Sequence, residues 1–153
     1  MATTVTASTL KVTVREEITL NGVKHEYKQE QSIASVNMIA QRIVRVPTSL
    51  KTILSFGSAI AAGTYVAGDI KHIRVTNLDD TNYITLGLKD STNTESAYLK
   101  LEKGETMIFH NTKLETNVNG AVWSTAFEDI ETINAQANTA AVDIEIFVAS
   151  SQS

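Results

Sequence analysis

From Leu10 to Val148, water-avoiding side chains recur at every second position, a habit that suits a sheet and little else. Leu10, Val12 and Val14 alternate with Lys11, Thr13 and Arg15. Ile73 and Val75 alternate with His72, Arg74 and Thr76, and Ile84, Leu86 and Leu88 with Tyr83, Thr85 and Gly87. Successive side chains of a strand point to opposite faces, so this spacing predicts half-buried strands with one face in a core. Thr, Val and Ile favour the pleated surface, and the 153 residues contain one proline, Pro47, to interrupt a ladder. The expected fold class is all-β.

Turn chemistry divides the alternating runs. Asn21-Gly22, where both positions accept positive φ, predicts a hairpin whose polar return arm (Val23, His25, Tyr27 against Lys24, Glu26, Lys28) is an edge strand. Leu10, Val12, Val14, Ile18 and Leu20 share one parity and are expected to face inward. The run Gly68 to Leu88 is read as a central antiparallel hairpin, its joint at residues 77–82 rich in Asn, Asp and Thr. Residues 32–46 fit a helical stripe and a strand nearly equally. The β-branched tail Ile43-Val44-Arg45-Val46 before Pro47 favours the strand, with the helix left open. Further strands are expected over 52–56, 64–66, 97–102, 107–110 and 121–127, the last carrying the only tryptophan, Trp123. Ile133, Ala135 and Ala137, then Val142, Ile144, Ile146 and Val148, read as a closing pair. Many short strands with turns every eight to twelve residues suggest a sandwich or barrel. Residues 1–8 are expected to form a flexible or partner-docked arm, and 9–153 a single domain.

Chemistry is harder to find. A net charge of −4 with scattered Lys and Arg argues against nucleic acid, which needs a basic stripe. No apolar run approaches the length of a membrane span, the first residues lack the look of a secretory signal, and the absence of cysteine removes thiolate sites. His25, His72 and His110 lack ligand spacing and are expected on strand surfaces, so no metal or other cofactor is expected. Asp79, Asp80 and Asn82, like Asp90, Asn93 and Glu95, miss the calcium-loop pattern and read as solvated turns. Glu16-Glu17 and Asp79-Asp80 are adjacent, which on a strand sends the two carboxylates to opposite faces. No nucleophile elbow or phosphate loop is present, and no catalytic residue is assigned.

Aromatics offer the better candidates. By parity Tyr83, Tyr98 and Phe147 fall opposite the aliphatic stripes, while Tyr65 and Trp123 sit near turns. Such a set can form a protein interface, cover a second layer of core, or stack on sugars.

The run Gly68-Asp-Ile-Lys-His-Ile-Arg-Val-Thr-Asn-Leu-Asp-Asp-Thr-Asn-Tyr-Ile-Thr-Leu86, with Ala97-Tyr-Leu-Lys-Leu101, Lys103-Gly-Glu105 and the closing alternation, resembles small virion proteins of tailed bacteriophages, those of marine phages in particular. The resemblance spans roughly residues 65–149 and is one of texture. It implies a single-domain antiparallel β-sandwich, jelly-roll-like, without catalytic residues. It also implies a capsid decoration or cement (minor capsid) protein, or a neck or tail component, assembled in the bacterial cytoplasm into the virion. Partners would be further copies of itself, as a homo-oligomer, and other virion proteins such as the major capsid protein. A carbohydrate-binding host-recognition module is the alternative.

Overall fold

The computed structural model describes residues 5–57, 64–90, 96–110, 115–117 and 127–151. The alternating runs form strands β1 (Ser8–Leu20), β2 (Val23–Val36), β3 (Met38–Val46), β4 (Lys51–Gly57), β5 (Thr64–Val66), β6 (Ile70–Asn77), β7 (Ile84–Asp90), β8 (Ser96–Leu101), β9 (Thr106–Phe109), β10 (Glu115–Asn117), β11 (Phe127–Ala137) and β12 (Val142–Ser150). Apart from a 3-10 turn at Ala67–Asp69, no helix occurs among the described residues. The all-β class is therefore observed, and residues 32–46 are strand on both sides of Asn37.

Three sheets result among the described residues. One is four-stranded in the order β3-β12-β6-β9. Another runs β5-β4-β11-β7-β8, with β10 also paired to β11. The third is the β1-β2 ribbon alone. A single apolar cluster joins the first two. Val46, Ile73, Val75, Val142, Ile144, Ile146 and Val148 come from one sheet, and Ile53, Leu54, Ile84, Leu86, Ile133, Ala135 and Leu101 from the other. Each Ile, Leu or Val so enclosed contributes about 1.5–3 kcal/mol by leaving water. The parities predicted for β6, β7, β11 and β12 all hold, with the inward residues at 7 % exposure or less.

Two predicted hairpins do not exist. β6 pairs with β12 and β9, whereas β7 pairs with β11 and β8, so the run 68–88 crosses from one sheet to the other. β11 and β12 part company in the same way, β11 to β4 and β7, β12 to β3 and β6. Alternation states which face of a strand is buried, but it cannot state which strand lies beside it. The sheet β3-β12-β6-β9 shares its core with the sheet carrying β4-β11-β7-β8, and the connections bridge the two layers.

The 77–82 loop shows how such a bridge is held. Asn77, wholly buried, donates through Nδ2 to the Asn82 carbonyl at 2.9 Å and the Leu101 carbonyl at 3.4 Å, and accepts from the Asp79 amide at 3.0 Å. Asp79 Oδ1 in turn accepts from the amides of Thr81 at 2.8 Å and Asn82 at 2.6 Å. These amides hold the Asp79 carboxyl below its usual range. Asp79 is thus a turn cap.

The first hairpin forms as predicted at its turn, where Asn21 and Gly22 take φ of 51° and 79°. Its placement is not as predicted. Val14, Ile18 and Leu20, expected inward, are 45 %, 59 % and 57 % exposed, because the ribbon stands off the sandwich instead of joining it. Near its base β2 carries one residue more than β1 between the Leu10–Ile33 and Ser8–Val36 rungs, and Ser35 there has a φ of 62°. An extra residue of this kind bends and twists a strand, here where the ribbon leaves the body. Glu16 and Glu17 cause no such break, since the register runs unbroken from Leu10 to Leu20.

Candidate interaction surface

The outer face of the four-stranded sheet is built from residues that period two sends away from the core: Gln41 on β3, Glu145 and Phe147 on β12, His72 and Arg74 on β6. Ladder pairing places Phe147 beside both Gln41 and Arg74, and Ala149 beside His72. Arg74 pairs with Glu145, and its guanidinium lies 5.9 Å from the Phe147 ring centroid. Gln41 Nε2 donates to the other Glu145 oxygen at 3.2 Å. Hydrogen bonds from Gln41 and Arg74 hold the Glu145 carboxyl below its usual range.

Ala149 and Phe147 also receive the foot of the ribbon. Ile33 and Val36 of β2, with Leu10 and Val12 of β1, close over them in a second small apolar cluster. That contact anchors the arm. Beyond it β1 and β2 run on for most of their length exposed, with no cover from other described residues, and 13 residues of strand span roughly 40 Å.

The ribbon has two unlike faces. On one, Arg15 meets Glu17 at 2.6 Å and Glu26 at 2.7 Å, Lys24 meets Glu17 and Glu26 at 3.1 and 3.2 Å, and Lys28 meets Glu30 at 2.7 Å. Exposed pairs of this kind stabilise little, but they occupy one another's charges. The opposite face carries the rungs Leu20–Val23, Ile18–His25, Glu16–Tyr27 and Val14–Gln29. Here Ile18, Leu20, Val23 and Tyr27 are each more than half exposed.

Two of the histidines are not on the strand surface as expected. His72 is 4 % exposed, and its Nδ1 lies 3.1 Å from Nδ1 of His110, just past the end of β9, with the rings edge to face at 71°. Strand pairing of β6 with β9 brings them together across 38 positions of sequence, which no spacing rule could have revealed. One Nδ1 must donate and the other accept, so at least one ring is neutral. Burial, then the neighbouring His110 and Arg74, depress the His72 pKa below its usual value. The unfolded chain therefore takes up a proton on His72 more readily than the folded one. Stability is complete above pH about 6.5 and falls as the pH drops toward the depressed value. Thermal melts between pH 7.5 and 5 should show this decline, and His72→Gln should flatten it. The Glu145 and Asp79 shifts have the same sign but act only at lower pH, below their ordinary range near 4. Among the described residues no group of three or more His, Cys, Asp or Glu is placed to hold a metal.

The predicted aromatic set does not assemble. Tyr65 is 6 % exposed and part of the core, which removes it from any surface. Phe147 lies under the ribbon foot on the four-stranded sheet. Tyr98 is on β8 of the other sheet and Tyr83 just precedes its β7, with the Lys100 ammonium 4.1 Å from the Tyr83 ring centroid. Tyr98 is 66 % exposed and stands opposite Gly87, where even a methyl group would come within 3.3 Å of the ring. Trp123 lies outside the described residues, as do the predicted loop glycine Gly63, residues 1–4 of the expected arm, and Asn93 of the acidic loop. What sequence reasoning missed was the ribbon's bare face. Its signal was present in the even positions Val14, Ile18 and Leu20 and the odd positions Val23 and Tyr27, which a two-residue turn at Asn21-Gly22 puts on one face.

Compared with known proteins, the chain matches no family model, no curated protein and no solved structure.

Proposed function

We propose that this protein is a non-enzymatic structural subunit that works by contact with its neighbours, serving as a decoration or cement (minor capsid) protein of a tailed-phage virion. The observation that carries the contact reading is the ribbon. A two-stranded hairpin standing off its body has little stability of its own, and an exposed apolar face is a liability for a chain that remains alone. Both become useful when the arm is covered in an assembly. Symmetric repetition on a shell multiplies such contacts. The virion assignment rests further on the texture of residues 65–149. A neck or tail position is a variant of the same reading, with other virion proteins as partners in either case. The sugar-binding alternative has less behind it, since Phe147 and Tyr98 lie on different sheets and a platform needs adjacent rings.

Mass spectrometry of gradient-purified particles tests the assignment. The protein is expected at tens of copies or more per particle. Its absence from intact particles, with free protein in the lysate, would end the reading.

A further inference from the structure

We infer that the bare face of the β1–β2 ribbon is a self-pairing surface, on which the arms of two copies lie face to face and cover Val14, Ile18, Leu20, Val23 and Tyr27. This rests on the contact reading above and names the occupant of one surface, a second copy of this chain.

Charge narrows the choice of occupant. Arg15, Lys24 and Lys28 on the far side of the ribbon are taken up by Glu17, Glu26 and Glu30. Nucleic acid or an anionic membrane would call for cations flanking the apolar stripe, and the stripe itself carries Glu16 and His25 instead. The same face supplies complements to these two. With a twofold axis along the ribbon, β1 of one copy lies over β2 of the other and equivalent rungs meet. Glu16 then opposes Tyr27 of the second copy, whose hydroxyl can donate to the carboxylate. Ile18 opposes His25, and Leu20 opposes Val23. One rung pattern satisfies both halves.

Area points the same way. The five apolar side chains expose on the order of 500 Å², the size of a functional patch on a monomer. With Glu16, His25 and Gln29 included, the face approaches the roughly 800 Å² per partner of a stable interface. The arm is narrow and flat, so a second arm covers it without leaving apolar area over. On the outer face of the four-stranded sheet, Ile39 and Ile43 of β3 offer less than half as much, and Ile108 of β9 sits alone at the opposite edge.

Sedimentation velocity on the purified full chain at about 50 µM should give a dimer, a concentration at which an interface with Kd of about 1 µM is mostly filled. Leu20→Asp should weaken association by roughly 100-fold or more, since the carboxylate would be buried against Val23 of the second copy without a partner. Thr19→Asp, on the opposite face of the same strand, should leave the dimer intact. Because the chain has no cysteine, single replacements report the geometry independently of stability. Under mild oxidation, an Ile18→Cys chain mixed with a His25→Cys chain should form disulfide dimers, and a Thr19→Cys chain should not. A monomeric wild type overturns the inference. So does cross-linking of Thr19→Cys as fast as the mixed pair, or a dimer that Ile43→Asp abolishes and Leu20→Asp leaves alone, which would place the arm on a neighbour's body. A monomer that still occurs in purified particles overturns self-pairing while leaving the virion reading in place, so the two fail separately.

Discussion

Ile84→Asp should leave the chain unfolded at 25 °C, with the strand signal of its far-ultraviolet dichroism lost and no cooperative melt. Ile84 is fully buried, flanked in its sheet by Ala137 and Leu101, and it meets the opposing sheet in the shared apolar cluster. Its ladder neighbours and the cluster it joins are apolar, and taking an unpaired charge or a protonated acid from water costs several kcal/mol. The loss of the isoleucine adds about 2–5 kcal/mol of transfer and cavity energy. Together these rival the roughly 5–15 kcal/mol that holds a domain of this size. Thr85→Asp, one position along, is the control. Thr85 is partly exposed and stands opposite Lys100, so the new carboxylate gains a favourable neighbour and the melting temperature should move by only a few degrees. The reverse outcome, with Thr85→Asp unfolded and Ile84→Asp folded, would mean that the sheet faces are assigned backwards.

Asn77→Leu should cost about 2–3 kcal/mol, read as a fall of roughly 5–10 °C in melting temperature. The side chain fits by volume, so the penalty comes from hydrogen bonds. The Asn82 and Leu101 carbonyls lose a donor and the Asp79 amide loses its acceptor, all at the point where the chain leaves one sheet for the other. A buried polar group stripped of its partner loses more than a typical hydrogen bond contributes. Thr81→Ala, which removes only an exposed hydroxyl bonded to Asp80, should stay within about 0.5 kcal/mol. If both variants melt alike, Asn77 does not pin the crossing.

Much of the fold could be read from residue order. The inward sets on β6, β7, β11 and β12, the Asn21-Gly22 turn and the strand over 38–46 all follow from side-chain period and backbone preference, which act over a few residues. The candidate surface was legible only in part. Tyr65 and Phe147 were placed near turns or on an outer face. The core claims the first, and the ribbon foot shelters the second. His72 and His110 gave no sign of meeting, because that contact depends on which strands lie side by side.

Local chemistry, then, determined that this chain forms strands, where most of them turn, and which side of each avoids water. Tertiary structure decided the rest. It sent β6 and β7, and β11 and β12, into opposite layers, and it left β1 and β2 outside both. The physical reason is that alternation gives every strand one sticky face without naming what will cover it. In the sandwich that face meets the other sheet, whereas along the arm it stays open beyond the foot.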